Sequence, residues 1–295
     1  MNNKIGTNFG PFIKRNSLFD VLKKTAQAGF EAADFSLTRT YGVERENEEN
    51  FYKDVKKLSD DLGLYLAQGH TPFSRGDYSK EYFLGDEWFN AQCDSIRRAS
   101  YLGIPWVVIH PFTHHPKETE SNRYTEEKRK EGFEINYKFY KRLKPVLNGY
   151  GVNCAIENLA ENDFITNGHQ PCSLYSSKEL NDFLDYLADD KTFGVCLDTG
   201  HANLVAEEGV PAFIKNLGKR LKVLHLNDNF SEFLDVHLPP FYGDLPWGEI
   251  KDALVQIGYD GALCFECINR MPNDEFDMLF AEYIYKTAKL IFDRK

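Results

Sequence analysis

The chain has 295 residues, 42% hydrophobic and 27% charged, an ordinary globular composition that argues against intrinsic disorder. Its formal net charge is -10, so a nucleic-acid partner, which needs a local excess of Lys and Arg, is disfavoured. Residues 1–12 carry no long apolar run behind a basic start, and no later stretch approaches the ~20 apolar residues of a membrane span. The expectation is a soluble, cytoplasmic protein without membrane contact.

Eight short apolar runs, rich in β-branched and small residues, alternate with longer amphipathic stretches, the pattern of strands and helices in turn. The first run starts near Lys4 (KIGTNF) and is followed by a helical pattern over 17–28. The second, near Ala32 (AADFSL), precedes a helix over 50–62, and the third, near Leu64 (LYLAQGH), precedes one over 88–102. The fourth, near Pro105 (PWVVIH), leads to a helix over 127–147, and the fifth, near Gly151 (GVNCAIE), to one over 177–187. The sixth, near Phe193 (FGVCLD), precedes a helix over 211–217, the seventh, near Leu221 (LKVLHLND), one over 247–257, and the eighth begins near Gly261 (GALCFE).

Gly29, Gly63, Gly103, Gly149 and Gly258 fall just past the predicted helix ends, where a left-handed residue is needed. The S-S-K-E before the fifth of these helices is a capping sequence. Eight βα units without a Gly, Ser or Pro linker predict one α/β domain over 1–295, a closed (β/α)8 TIM barrel. Two polar excursions, 111–130 and 158–176, follow strands and should lie over the strand C-termini, where barrel enzymes build their sites.

Six cysteines are scattered along the chain, three within strand-like runs, which suits reduced, packed thiols better than a disulfide framework. Cys264 and Cys267 form a C-x-x-C, but residues three apart in a strand face opposite ways, so zinc binding by that pair is disfavoured.

The strand ends carry the strongest signal. Successive runs finish at His70, His110, Glu157, Asp198, His225 and Glu266. Residues two apart share a strand face, and small residues lie below the carboxylates: Asn153 and Ala155 below Glu157, Gly194 and Cys196 below Asp198, Ala262 and Cys264 below Glu266. These carboxylates should therefore point inward at the barrel rim, with Cys196 and Cys264 as interior filler. His201 follows Asp198 by three residues, and Asp235 and His237 share a side if that segment is extended. Taken singly, a strand-end histidine is more often a hydrogen-bonded loop residue, and Asp198 could simply cap the next helix. Glu157 and Glu266 resist that reading, because an unpaired inward carboxylate ending an apolar strand is costly. The mixed imidazole and carboxylate set suits Zn2+, Mn2+, Fe2+ or Co2+ rather than Ca2+. His114, His115 and His169, in polar loops, are read as solvated surface or lid residues.

AIENL around Glu157, GVCLDTGHANL with Asp198 and His201, LHLNDN with His225, DVHLPP with Asp235 and His237, and IGYDGALCFE ending at Glu266 resemble the sugar phosphate isomerase/epimerase group. That group belongs to the xylose-isomerase-like TIM barrels, a superfamily that also contains endonuclease IV, and the resemblance covers essentially the whole chain. In the epimerase branch it implies one divalent metal on Glu157, Asp198, His225 and Glu266. In the endonuclease branch it implies three zinc ions: on His70, His110 and Glu157; on Glu157, Asp198, His225 and Glu266; and on His201, Asp235 and His237. The wording DTGHANL and DVHLPPFYGDLPW resembles the isomerase/epimerase group, although that group often has Gly where this chain has Asp244.

The expected activity is a metal-dependent sugar or sugar phosphate isomerase/epimerase working by proton transfer through an enediolate. Its cofactor would be one to three divalent ions, zinc or manganese first, and its partner a small carbohydrate, with a homo-oligomer admitted. Glu157 and Glu266 would move the proton, and His201 would bind a substrate oxygen or complete a second metal site. Arg39, Arg75 and Arg270 are candidate phosphate anchors. The alternatives are an endonuclease IV-like phosphodiesterase on abasic DNA and a non-catalytic sugar- or metal-binding barrel.

Overall fold

A computed structural model describes residues 1–73, 79–114, 124–163, 168–231 and 235–293. Among the described residues ten strands form: β1 (Ile5–Asn8), β2 (Ala32–Ser36), β3 (Tyr65–His70), β4 (Trp106–Ile109), β5 (Asn153–Glu157), β6 (Glu161–Asp163), β7 (Gly168–Gln170), β8 (Phe193–Asp198), β9 (Leu221–His225) and β10 (Leu263–Phe265). Eight of them make one parallel sheet in the order β10-β1-β2-β3-β4-β5-β8-β9, while β6 and β7 pair antiparallel as a separate hairpin. The two ends of the sheet meet through one parallel residue pair, Leu226 with Phe265. There the Leu226 N–H donates to Cys264 O (2.8 Å) and the Glu266 N–H to Leu226 O (2.9 Å). That pair brings the sheet round into a nearly closed barrel, and all eight expected strands are present.

The helices are α1 (Leu18–Gln27), α2 (Glu48–Asp61), α3 (Lys80–Leu84), α4 (Asp86–Leu102), α5 (Glu126–Tyr150), α6 (Ser177–Leu187), α7 (Thr199–Val205), α8 (Val210–Leu217), α9 (Trp247–Ile257) and α10 (Asp274–Phe292). Side-chain oxygens of Ser17, Ser79, Thr125, Ser176, Asp198 and Asn273 accept N–H groups of the first turns of α1, α3, α5, α6, α7 and α10, each cap stabilising its helix by about 1 kcal/mol. Gly29, Gly63, Gly103 and Gly258 do take positive φ. Gly149 does not: α5 runs past it, and Gly151 is the left-handed cap (φ 66). The periodicity of the sequence leaves α3, α7, α10 and the β6–β7 hairpin unpredicted.

Most of the apolar core, from Ile5 to Phe292, packs the outer face of the sheet against the helices. Inside the barrel the filling is small. Val108, Ala155, Cys196 and Val223 form one interior cluster and Ala32, Ala67 and Cys264 another, as a tight barrel requires. Cys264 thus faces the interior while Cys267 belongs to the outer core, and all six cysteines are free thiols. No helix among the described residues is long and apolar enough to cross a membrane.

Candidate metal centre

His70, Glu157, Asp198 and His225 are the last residues of β3, β5, β8 and β9, and His110 and Glu266 directly follow β4 and β10. The parallel register therefore delivers all six to one end of the barrel. Glu157 lies at their centre, 1% exposed. Its Oε1 is 2.9 Å from His225 Nδ1, and its Oε2 is 2.9 Å from His110 Nε2 and 3.4 Å from His70 Nε2. Glu266 Oε2 reaches the same His225 Nδ1 at 3.1 Å. Glu157, Asp198, His225 and Glu266 each offer a ligand atom, all within 4.8 Å of one another; so do His70, Glu157 and His225, and so do Asp198, His201 and His237.

Asp198 also caps α7, its Oδ1 accepting the His201 N–H (2.8 Å) and its Oδ2 the Asn227 amide (2.8 Å). Asp198 therefore caps α7 and also lies within the cluster of candidate ligands. The close approach behind it requires Gly200, because a Cβ there would collide with Asn227 Oδ1. Asp235 and His237 share a side, with Nε2 and Oδ2 2.9 Å apart, but not through an extended segment. The backbone turns left-handed at His237 (φ 45), and that turn rather than strand alternation folds the imidazole back onto Asp235. Asp235 Oδ2 is also 3.2 Å from His201 Nε2.

Tautomers follow from the carbonyl partners, since a carbonyl can only accept. His70, His201 and His237 each set Nδ1 on a backbone oxygen, of Thr71 (2.8 Å), Asn158 (2.9 Å) and Glu266 (3.0 Å). In its neutral form each of these rings therefore presents an Nε2 lone pair to the site. Such fixed rings are the usual support of metal-binding histidines. Burial alone would raise the Glu157 carboxyl, but the charges of His225 and His110 outweigh it and hold the group well below its ordinary range. Asp198, as buried, is pushed up by burial despite His201. Burial would lower His237, yet its hydrogen bond to Asp235 lifts it to about 10.

A divalent transition ion fits this donor set. Glu157 Oε2 is buried without a hydrogen bond, although two imidazole nitrogens converge on it. A buried carboxylate oxygen left without a hydrogen bond between two imidazoles suits a shared cation better than a hydrogen-bonded core.

Several residues fall outside the sequence expectation. Asp34, inside β2, sets Oδ2 at 2.8 Å from His225 Nε2. Asn158 grips the Asp198 backbone through Oδ1 and Nδ2 (2.8 and 3.0 Å). His169 is half-buried rather than solvated: its Nε2 accepts the Asp235 N–H (3.1 Å). His114 pairs with Glu131 of α5, whereas His115 lies outside the described residues. The two excursions do border the site. A cavity of about 370 Å3 is lined by His110, Thr113, Glu161, Asn162, His201 and Asp235 among others. Arg39 borders a neighbouring cavity with His70 and Glu266. Arg270 lines an apolar groove with no His, Asp or Glu among the described residues, and Arg75 lies outside the described residues. In the 243–247 loop, Asp244 takes hydrogen bonds from Asn203 and Ser231.

Residues 22–281 match the family described as the xylose isomerase-like TIM barrel. An uncharacterized protein of Sinorhizobium fredii is 29% identical over 199 residues, 66% of this chain and 56% of that protein. The D-psicose 3-epimerase of Ruminiclostridium cellulolyticum is 24% identical over 259 residues, 85% of this chain and 78% of the relative. A probable endonuclease 4 of Cenarchaeum symbiosum is 32% identical over 143 residues, 45% of this chain and 44% of the relative. The crystal structure of a D-tagatose 3-epimerase-like protein shares the fold, with a TM-score of 0.72 at 23% identity and 98% of both chains covered.

Proposed function

Because the chain belongs to the xylose isomerase-like TIM barrel family, we propose that it is a divalent-metal-dependent sugar isomerase or epimerase, acting by proton transfer through an enediolate. The observation that carries this reading is the placement of two carboxylates, Glu157 and Glu266, at 2.9 and 3.1 Å from one imidazole nitrogen. Glu157, Asp198, His225 and Glu266 would hold the ion. When bound, it would supply Lewis-acid stabilisation of negative charge on the substrate oxygens.

The remaining work falls to the chain. Glu157, kept ionised by its histidine neighbours, is equipped to take a proton from carbon, and Glu266, brought in from the other side of the β9–β10 seam, to return one. His201, held through Nδ1 by the Asn158 carbonyl, directs Nε2 toward the cavity for a substrate oxygen. The similarity to D-psicose 3-epimerase along 85% of the chain and the net charge of -10 support a small carbohydrate substrate.

A phosphodiesterase like endonuclease IV is the second reading, favoured by the 32% identical segment and by the extra groups around His70 and His201. Duplex binding would require several phosphates to be neutralised, and the acidic balance opposes it. Incubating metal-loaded protein with ketoses and their phosphates in deuterated water should place deuterium on the carbon beside the carbonyl. Incision of abasic DNA with no exchange in any sugar would reverse the choice.

A further inference from the structure

The ring of His225 differs from those of His70, His201 and His237. His70, His201 and His237 rest Nδ1 on backbone carbonyls, whereas His225 has carboxylates at both nitrogens. Nδ1 faces Glu157 and Glu266, and Nε2 faces Asp34 at 2.8 Å. A neutral imidazole carries one proton, and the two nitrogens compete for it.

We propose that Asp34 is a positioning residue of the metal centre: it holds the His225 proton on Nε2, so that the Nδ1 lone pair is free for the ion, and Gln68 in turn holds Asp34. The proposal rests on the metal-centre reading above. Asp34 and Ala32 share the inward face of β2, and Ala32 is part of an interior cluster. Asp34 is 3% exposed, and His225 and Gln68 are 0% exposed, so these bonds are shielded from bulk solvent. Gln68 Nε2 donates to Asp34 Oδ2 (3.0 Å) and to Leu224 O (3.1 Å). It thereby ties β3 to the carboxylate on β2 and to the backbone immediately before His225 on β9. Two carboxylates on the Nδ1 side would otherwise attract the proton and close the nitrogen to metal. A buried carboxylate fixed by a second donor on the Nε2 side is what shifts the balance, and removing such a partner typically weakens metal binding 10–100-fold.

The test uses the full chain with zinc or cobalt as the probe. With 15N-labelled histidine, zinc-loaded protein should show the His225 ring proton on Nε2, the signal being assigned by its loss in His225→Gln. Cobalt affinity, measured against a competing chelator, should fall 10–100-fold in Asp34→Asn and severalfold in Gln68→Met. A proton found on Nδ1 in the zinc-loaded wild type would overturn the proposal. So would an Asp34→Asn variant that folds and binds cobalt within twofold of wild type. If Asp34→Asn does not fold, the wild-type spectrum and Gln68→Met decide on the same terms. Wild-type protein that takes up neither ion would overturn the metal-centre reading together with this one, whereas cobalt uptake with an Nδ1 proton would overturn this one alone.

Discussion

At the scale of residues, the site is a competition among buried charges. Five acidic residues, Asp34, Glu157, Asp198, Asp235 and Glu266, meet His70, His110, His201, His225 and His237 where the strands end. Carboxylates so crowded require compensating positive charge, which imidazolium or a metal ion can provide. Replacing Glu157 or Glu266 by Gln keeps the shape and removes the proposed base. The expected result is a 10²–10⁴-fold loss of substrate C–H exchange in deuterated water, the range of a missing general base. Metal content must be measured in each variant, because loss of the ion would produce the same deficit. Exchange near the wild-type rate with metal retained would remove that residue from the proton-transfer role.

Much of this layer is legible in the amino-acid sequence. Strand parity puts Glu157, Asp198 and Glu266 inward because small residues lie two and four positions below them. Asp34 escapes a rule that takes the last polar residue of each run, since β2 carries its carboxylate mid-strand in AADFS, on the same inward parity. His169 escapes because the hairpin that brings it to Asp235 is built from polar residues with no apolar alternation. Strand alternation pairs Asp235 with His237 for the wrong reason: the pairing comes from a positive φ at a non-glycine residue, which leaves no mark in composition.

Among the elements, α7 ties the site to the barrel wall most closely. It starts on Asp198, presents His201 in its first turn and packs Gly200 against Asn227 and Asn229. The Asn229 amide donates to Gly200 O (3.0 Å) and the Asn227 amide to Asp198, so helix and loop share one buried polar network. Gly200→Ala should cost about 1–3 kcal/mol, the range for overpacking a well-filled interior, read as a lower urea midpoint with unchanged m. Stability within ~0.5 kcal/mol of wild type would mean that Asn227 moves aside freely, contrary to the hydrogen bond that holds its amide on Asp198.

The molecule as a whole combines an apolar jacket outside the sheet, small interior clusters and a charged rim. Such a rim gains stability from an ion that binds the folded chain alone, by about 2.7 kcal/mol when the ion is at 100 times its Kd. Chelation should therefore lower the Tm by roughly 5 °C in a chain of this size, and adding back zinc or manganese should restore it. Equal melting curves with and without chelator, for protein shown to carry the ion beforehand, would argue that the rim is held by imidazolium charge instead.

The seam between β9 and β10 gives the rim a mechanical meaning. One residue pair, Leu226 with Phe265, joins these strands, where the other adjacent barrel strands share two to five. His225 ends one side of that join and Glu266 follows the other. An ion gripped by both would act as a clasp across the barrel's thinnest stitch, and local opening would have to break the clasp first. Hydrogen exchange at the amides of Leu226 and Glu266, which form the stitch, should therefore slow on metal loading by more than exchange in the five-pair β2–β3 ladder.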